Sequence, residues 1–518
     1  MPRRTPDLLR PLAALPAGAT RRNVLATGLA AGAMSVLPGL ARAQDVPASR
    51  EAATGAVAAV EDAILRISRE VWALAEPSLV EVQSAEVHLR ELEAAGFTTV
   101  SRGTAGVPTA FLSEWSQGSG GPVIGFLPEY DALPALGNLP EPRQAQGETS
   151  TGHGCGHNIL GAGCTGAALA LKRMMEADGT PGTIRVFGCA AEETEGAKVY
   201  MVREGLFADV DAAIAWHPAP LAGAGLIRTS AANKMKVRFF GRTAHAGNAP
   251  WEGRSALKAA ELFGIGLQFM REHQYPTSRI HYVYESAGSA PNVVPDFAQV
   301  WMYTRGIDRP TVTAMTEWAR QVADGAALMT QTTVEFDQFA GVHDLLPNAP
   351  LTDLAYRHLS AQPLDWTEEE QAFARACQAG MGLPQAGLAT APMPKLGEIT
   401  AGASTDVGDI SYVVPVALFA WPTMPIGVGL HTWPVTACGG MSIGDRAALA
   451  TARIMAGMGH DLMTDAGLLA EAKADLAARR GDAPYVSPLP PERLQPLGLP
   501  EFMVKDGADE IYAGVDPA

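Results

Sequence analysis

The sequence predicts an α/β protein with a central, mostly parallel sheet flanked by helices and a smaller two-layer α+β unit set into it. Three observations predict this. Short apolar runs bounded by glycine and proline alternate with stretches of helical periodicity, the pattern of buried parallel strands joined by crossover helices. From about Asn233 the texture switches to alternating strands in the order β-α-β-β-α-β, which fits a two-layer sandwich. After Pro347 the helix-rich texture returns, so the middle segment reads as an insertion.

Taken in order, residues 57–97 carry apolar side chains at helical spacing (Ile64, Ile67, Val71 and Leu74, then Val87, Leu89 and Leu92), which predicts two amphipathic helices separated near Pro77. GGPVIGFLPEYDALP, 120–134, holds a buried strand whose end carries Glu129 and Asp131. A Gly/Pro/Gln-rich loop follows, and TGHGCGHNILGAG, 151–163, opens a helix through Ala167, Leu169, Leu171 and Met174. GTIRVFGCAAEETEG, 182–196, is a second buried strand ending in acids, and ADVDAAIAWHP, 208–218, a third ending in a histidine. KMKVRFFG, a helix over 255–272, RIHYVYES, AQVWMYTRG, a helix over 311–329 and TTVEFDQF make up the insertion. The domain expectation is therefore 44–228 and 346–480 for the larger α/β body, 229–345 for the inserted unit, and a proline-rich, extended tail over 481–518.

Composition bounds the function. Of 518 residues 47% are apolar, enough for a sizeable core, and the formal net charge of −16 offers no electrostatic footprint for nucleic acid or anionic lipid. Residues 1–43 contain the paired arginines of TRRNVL, an apolar run too short and too rich in Gly, Ser and Pro to span a membrane, and Ala41-Arg42-Ala43 as a cleavage pattern. They predict a twin-arginine export signal, a periplasmic or secreted mature protein of net charge −21, and no stable membrane span after cleavage. Five scattered cysteines do not form a disulfide framework.

In open parallel sheets, sites form outside the carboxyl ends of the strands. Asp131, Cys155 with His157, Glu192 with Glu193, His217, and His431 in PIGVGLHTW all fall at such positions. Cys155-Gly156-His157 alone reads equally as a buried thiol beside a capping histidine or as a ligand pair; a mixed sulfur, nitrogen and oxygen donor set would favour an open-site ion such as Zn²⁺ or Mn²⁺. Adjacent glutamates leaving an extended segment point in opposite directions. One can then bind a metal while the other moves a proton, the division that hydrolysis needs. His153 reads as a turn residue or a support behind the ligands. Cys164, His281 and His343 read as structure or surface, and Cys189 as core.

EYDALPALG, GHGCGHN, GTIRVFGCAAEETEGAK, AAIAWHP, GRTAHAGNAPWEGRSAL, SAPNVVPD, STDVGDISYVVP and GLHTW, in that order over about residues 55–490, resemble the di-metal aminoacylase/carboxypeptidase family of metallopeptidases. The resemblance is to the amidohydrolase branch that includes p-aminobenzoyl-glutamate hydrolase and indoleacetyl-amino-acid hydrolases, EYDALP and STDVGD being wording of the former. It implies two divalent metal ions, manganese or zinc, bridged by Cys155 and completed by His157, Glu193, His217 and His431. Glu192 would be the general acid/base and Asp131 the group orienting a ligand. His245 would hold the oxyanion across a dimer interface, Asn292 would contact substrate, and Arg305 would clamp a substrate carboxylate. The insertion would serve as lid and homodimerisation surface, with a second hydrolase subunit as a further partner.

The sequence departs from the broader family, which bridges its metals with aspartate and places His-x-Asp where Glu129-Tyr130-Asp131 stands here. The expected activity is cleavage of the amide in an N-acyl or aryl amino acid (p-aminobenzoyl-glutamate-like) or a small dipeptide-like substrate. Its rivals are hydrolysis of indoleacetyl or carbamoyl conjugates, and a non-catalytic periplasmic binding or partner subunit.

Overall fold

The computed structural model describes residues 48–482 and 484–493. The expected leader and residues 494–518 of the expected tail lie outside the described residues. Among the described residues no helix is long and apolar enough to cross a membrane.

A helix that the periodicity did not predict, α1 (Ser49–Ala58), precedes the two that it did, α2 (Glu61–Leu74) and α3 (Val82–Ala94), which part around Pro77 as expected. The chain breaks at Val60, whose backbone leaves the helical region, and α2 starts on Glu61 and Asp62, acids that suit the positive end of a helix dipole. The main sheet combines β1 (Thr98–Arg102), β2 (Phe111–Gln117), β3 (Val123–Phe126), β4 (Gly182–Gly188), β5 (Ala212–Ala219) and, far along the chain, β12 (Val416–Pro422). Their spatial order is β1-β2-β4-β3-β5-β12, with β4, β3, β5 and β12 mutually parallel and β1 and β2 antiparallel at one edge. The chain leaves β3 for β4 on one side and reaches β5 on the other, so the topological switch lies at the carboxyl end of β3, where a crevice opens.

Helix α4 (His157–Asp178) is the crossover from β3 to β4 and is buried through most of its length. The glycines of TGHGCGHNILGAG shape its start and its packing. Gly156 sits at φ +81°, a left-handed conformation that a side chain would strain, and a Cβ on Gly163 would lie 2.4 Å from Thr451 Oγ1. The first turns the chain so that Cys155 and His157 flank the helix start. The second lets α4 pack closely against the long helix that carries Thr451.

The second sheet contains β7 (Ala231–Phe240), β8 (Arg279–Ser286), β9 (Phe297–Gly306) and β10 (Thr333–Val342), all antiparallel in the order β10-β7-β9-β8. Its two helices are α6 (Ala256–Glu272) and α7 (Arg309–Thr330), which follow the short α5 (Ala197–Arg203). Met235, Val237, Phe239, Val300 and Met302 from the sheet, with Phe263, Leu267 and Met315 from the helices, form a core separate from the larger one around α4. The β-α-β-β-α-β reading therefore describes the observed order of elements. The sequence pattern did not predict a third, separate ladder, in which β6 (Gly225–Arg228) pairs in parallel with β11 (Leu396–Thr400). Helices α8 (Ala349–Ser360), α9 (Glu368–Gly380), α10 (Val407–Ser411), α11 (Trp433–Gly439), α12 (Ser442–Thr464) and α13 (Ala466–Arg480) complete the larger body.

The described part of the expected tail is not a free surface strand. Tyr485 Oη donates to Asp409 Oδ1 at 2.8 Å, His343 Nε2 donates to the Val486 carbonyl at 2.8 Å, and Leu489 is buried. His343 itself lies between the rings of Tyr412 and Tyr485. Proline kept the segment extended, and the Tyr485 ring contact with His343, the two hydrogen bonds and the burial of Leu489 fasten it down.

Asp409 is fully buried under this strap, and burial raises its carboxyl from 3.8 to about 7. The folded protein thus keeps a proton that the unfolded chain releases, so this group makes stability fall as pH rises from about 4 to about 7. Urea unfolding over that range should show a shallower fall for Asp409→Asn than for the parent. An unchanged slope would assign the effect elsewhere.

Candidate metal centre

The site is assembled at the switch point. Asp131 follows β3, Cys155 and His157 open α4, Glu192 and Glu193 follow β4, and His217 lies within β5. His431 comes from the loop after β12. Cys155, His157 and His217 place one donor atom each within 4.8 Å of one another; so do Cys155, Glu193 and His431, and so do Glu129, His157 and Glu192. Cys155 belongs to two of these groups and His157 to two, so the clusters share corners.

The imidazoles are oriented from behind. His157 Nδ1 donates to Asp131 Oδ1 at 2.8 Å, and His217 Nδ1 donates to the Pro218 carbonyl at 2.9 Å. Each ring therefore turns its Nε2 inward, His217 Nε2 to 3.6 Å from Cys155 Sγ. Asp131 is buried and also accepts from Ser78 Oγ at 2.8 Å and from the Glu193 amide at 3.0 Å. It supports the cluster without facing the cleft. Two backbone positions beside the site, Ala191 and His431, have positive φ (54° and 60°), a local strain that aims the residues next to them. The Ala191 amide donates to Glu81 Oε1 at 2.7 Å, which steadies the glutamate pair.

Whether these residues suit a cation can be tested on their unsatisfied atoms. Glu129 Oε2, His157 Nε2 and Glu193 Oε1 are buried and make no hydrogen bond among the described residues. Yet Glu129 Oε2 is 3.3 Å from His157 Nε2, and Glu193 Oε1 is 3.3 Å from His431 Nε2. Buried polar atoms crowded together but unpaired are costly unless something else binds them. Their mixture of thiol, imidazole and carboxylate fits borderline divalent ions. The donor set fits.

Electrostatics support the same conclusion. Burial, then the charges of Glu129, Glu193 and Asp406, push the Glu192 carboxyl well above its ordinary value. Burial and the Glu193 charge push the Cys155 thiol up as well. A cation between them reverses both penalties, because it stabilises thiolate and carboxylate together. Burial also opposes the charge on Glu193, but the His431 contact and the His157 charge outweigh it and hold that carboxyl low.

The cleft, of about 620 Å³, is walled by Cys155, Glu192 and His217 from the main sheet and by Lys234, Tyr303 and Arg305 from the second. Of the residues expected from sequence, the structure brings together Asp131, Cys155, His157, Glu192, Glu193, His217 and His431, with Arg305 on the opposite wall. It does not bring His245 or Asn292. Both are exposed, paired with each other's loop through the Ala246 amide and the Asn292 carbonyl at 3.0 Å, and neither lines this cleft. His153 is buried and donates from Nε2 to the Val71 carbonyl at 2.9 Å, a structural role. All five cysteines are free and buried.

Sequence reasoning passed over three residues here. Glu129 was visible as a strand-end acid, but its side chain was given no part. Lys198 is fully buried and bonds Glu129 Oε1 at 2.7 Å and Asp406 Oδ1 at 2.6 Å. The signal for Asp406 was STDVGD, an acidic stretch followed by residues of a buried helix.

Sulfur, imidazole and carboxylate donors gathered at the carboxyl end of a parallel sheet, with a spare carboxylate and a deep cleft beside them, constitute the site of a metal-dependent hydrolase. Residues 126–393 match the family described as peptidase family M20/M25/M40. The chain is 38% identical over 456 residues, 82% of its length and 94% of the relative's, to the B-type chain of p-aminobenzoyl-glutamate hydrolase from Escherichia coli (strain K12). It is 27% identical over 444 residues (83% and 93%) to the Xaa-Arg dipeptidase of Mus musculus. In fold it resembles the solved dinuclear metal binding peptidase from the M20 family of Bacillus subtilis, with a TM-score of 0.52 at 19% identity over 79% of this chain and 99% of that one. The chain belongs to the peptidase family M20/M25/M40.

Removing Lys198 strands two buried carboxylates. Lys198→Met should lower the unfolding free energy of the chelated protein by about 3 kcal/mol or more, read from urea denaturation. A loss below about 1 kcal/mol would overturn that role for Lys198.

Proposed function

We propose that this protein hydrolyses the amide bond of an N-acyl or aryl amino acid, p-aminobenzoyl-glutamate-like, or of a small dipeptide-like substrate, using two divalent cations. The observation that carries the reading is Glu192. It stands beside the Cys155, His157, Glu193, His217 and His431 donors, on the cleft wall, in no ion pair with a cationic side chain among the described residues.

Cys155, His157, Glu193, His217 and His431 would hold the two ions, with the free oxygen of Glu129 within reach. When bound, such ions acidify water and polarise a carbonyl, manganese and zinc both being suited to these donors. Glu192 accepts the proton from the attacking water. As the new carbon–oxygen bond forms and the carbon–nitrogen bond breaks, Glu192 returns that proton to the departing amine nitrogen. Asp131 keeps His157 in the tautomer that presents Nε2. Arg305, bonded to Ser404 Oγ at 2.7 Å, would pair with a substrate carboxylate. Lys234 donates to the Glu193 carbonyl at 3.1 Å and to the Thr194 carbonyl, and so stiffens the segment that carries Glu192.

His245 points to assembly. Lying outside its own cleft, it would hold an oxyanion only in the cleft of a second copy, which favours a homodimer through the inserted unit 229–345. The Escherichia coli relative is named as one of the subunits of its hydrolase, which supports a second, different hydrolase chain as another partner. Export by the twin-arginine route is proposed from residues 1–43. Manganese rather than zinc as native metal, and p-aminobenzoyl-glutamate rather than an indoleacetyl or carbamoyl conjugate as substrate, follow from the resemblance.

Glu192→Gln should retain its metal content by elemental analysis while kcat on N-acyl amino acids falls about 100-fold or more. Near-parental turnover would remove the mechanism. Cys155→Ala should bind less than half the parental metal under the same loading, and Glu129→Gln should weaken metal affinity in calorimetry without abolishing it. Parental stoichiometry in the cysteine variant would overturn the assignment of Cys155 as a ligand.

A further inference from the structure

The last described residues, 484–493, tie the larger body to the inserted unit. On the body, Tyr485 Oη donates to Asp409 Oδ1 of α10 at 2.8 Å, and Arg203 Nη1 of α5 donates to the Arg493 carbonyl. On the inserted unit, the two contacts fall on neighbouring residues of β10. Gln338 Nε2 donates to the Pro488 carbonyl at 2.6 Å, and Arg493 Nη2 donates to Asp337 Oδ1. Arg238 Nη1 reaches the other oxygen of Asp337 at 3.3 Å. The strap thus grips one short stretch of β10 while both of its own ends are fixed to the body.

That stretch is where the β10/β7 ladder is interrupted. Gln338 is paired with Met235 and Ala340 with Lys234, so Phe339 is left over as a bulge. A bulge breaks the run of ladder bonds and bends its strand, which leaves the local geometry to whatever packs against it. Here the strap does so. Asn233 Nδ2 donates to Gln338 Oε1 at 3.2 Å, so the side chain that holds Pro488 also holds the residue before Lys234. Gly341 permits the approach, since a Cβ there would lie 2.6 Å from Asn233 Oδ1 and 3.1 Å from Pro488 Cβ.

Lys234 joins the two units at the reaction centre. It is buried, and it leaves β7 on the face opposite Met235, which fills the core of the second sheet. From there it donates to the Glu193 carbonyl at 3.1 Å and to the Thr194 carbonyl, in the segment that carries Glu192. A continuous run of contacts therefore leads from Pro488 and Arg493, through Gln338 and Asn233, to Lys234 and the glutamate pair.

We infer that residues 484–493 are a positioning clamp for the reaction: by gripping β10 at its bulge they set the place of Lys234, and through it the aim of Glu192. Gln338 and Arg493 are positioning residues, outside both the donor groups and the cleft wall. Their effect on turnover rests on the amidohydrolase reading, whereas the clamp itself stands on the contacts. A strap that only fastened the chain end would stabilise the fold and leave the glutamate segment as it is.

The test uses the full chain, metal-loaded, as parent, as Gln338→Leu with Arg493→Ala, as the same protein with Arg493→Lys in place of Arg493→Ala, as Lys234→Met, and as Lys234→Met with both strap losses. Amide hydrogen exchange read by mass spectrometry should be about tenfold faster over 190–196 and 231–240 in the Gln338→Leu/Arg493→Ala protein, with α4 at the parental rate. On an N-acyl amino acid its kcat should fall about tenfold while KM moves less than about twofold, because Glu192 is misaimed rather than removed. Arg493→Lys, which keeps a cation on Asp337, should recover part of the loss. Lys234→Met should cost at least as much, and adding the strap substitutions to it should cost nothing more. Parental exchange over 190–196, equal acceleration in α4, or losses that add to that of Lys234→Met each overturn the clamp. Should the parent hydrolyse no N-acyl amino acid, the amidohydrolase reading falls, and exchange over 190–196 by itself upholds or overturns the clamp.

Discussion

A single buried carboxylate, Asp131, holds the site in register. Its two oxygens reach three segments: the His157 ring at the start of α4, the Glu193 amide after β4, and the Ser78 hydroxyl between α2 and α3. No one of those contacts is large, because a hydrogen bond exchanged with water contributes only about 1 kcal/mol, and somewhat more to a charged acceptor. Their joint effect is geometric. With Nδ1 of His157 committed, Nε2 must face the cleft, and with the Glu193 amide committed, the glutamate pair must leave β4 at a set angle. The donors of the centre inherit their orientation from a group that stands behind them.

Around that anchor the protein concentrates negative charge where water is scarce. Glu129, Asp131 and Asp406 are all buried, and Glu192 and Glu193 partly so. Lys198 offsets two of them, and Lys234 directs its hydrogen bonds to backbone carbonyls of the glutamate segment. What remains is a surplus of acid and a thiol with too few partners. Such a centre is unfavourable alone and is relieved by cations, so binding affinity and local strain are two views of the same arrangement. The long strand-to-helix turns around it can tolerate positive φ at Ala191 and His431 because the sheet and α4 hold their ends.

The cleft exists because the second sheet has a hydrophobic core of its own, separate from the large one around α4. The second sheet packs one face onto α6 and α7 and leaves the other, polar and aromatic, to wall the cleft. The period-2 alternation of β7, β8 and β9 therefore decides chemistry as well as packing. A slip of one residue in β7 or β9 would send Lys234 or Arg305 into the core and Met235 or Met302 into the cleft.

Much of this was legible in the primary structure. VIGF, IRVFG and AAIAWHP are short, apolar and bounded by chain-turning residues, so their burial and their polar ends follow from local composition alone. That is why Cys155, His157, Glu193, His217 and His431 stand out as candidates in the sequence itself. The alternation of KMKVRFFG and RIHYVYES likewise announced a second sheet. Tertiary structure alone decided the rest. Glu129 and Lys198, 69 residues apart, become ion partners only when α5 docks beside β3. Arg279 and Arg305 confront each other only through cross-strand register. His245 and Asn292 come together on an exposed loop pair instead of in the cleft. Apolar periodicity is a property of neighbours in sequence, and it was read directly. Which side chains face one another across a crevice depends on register, helix docking and close approach at glycine, and those are settled only when the whole chain has packed.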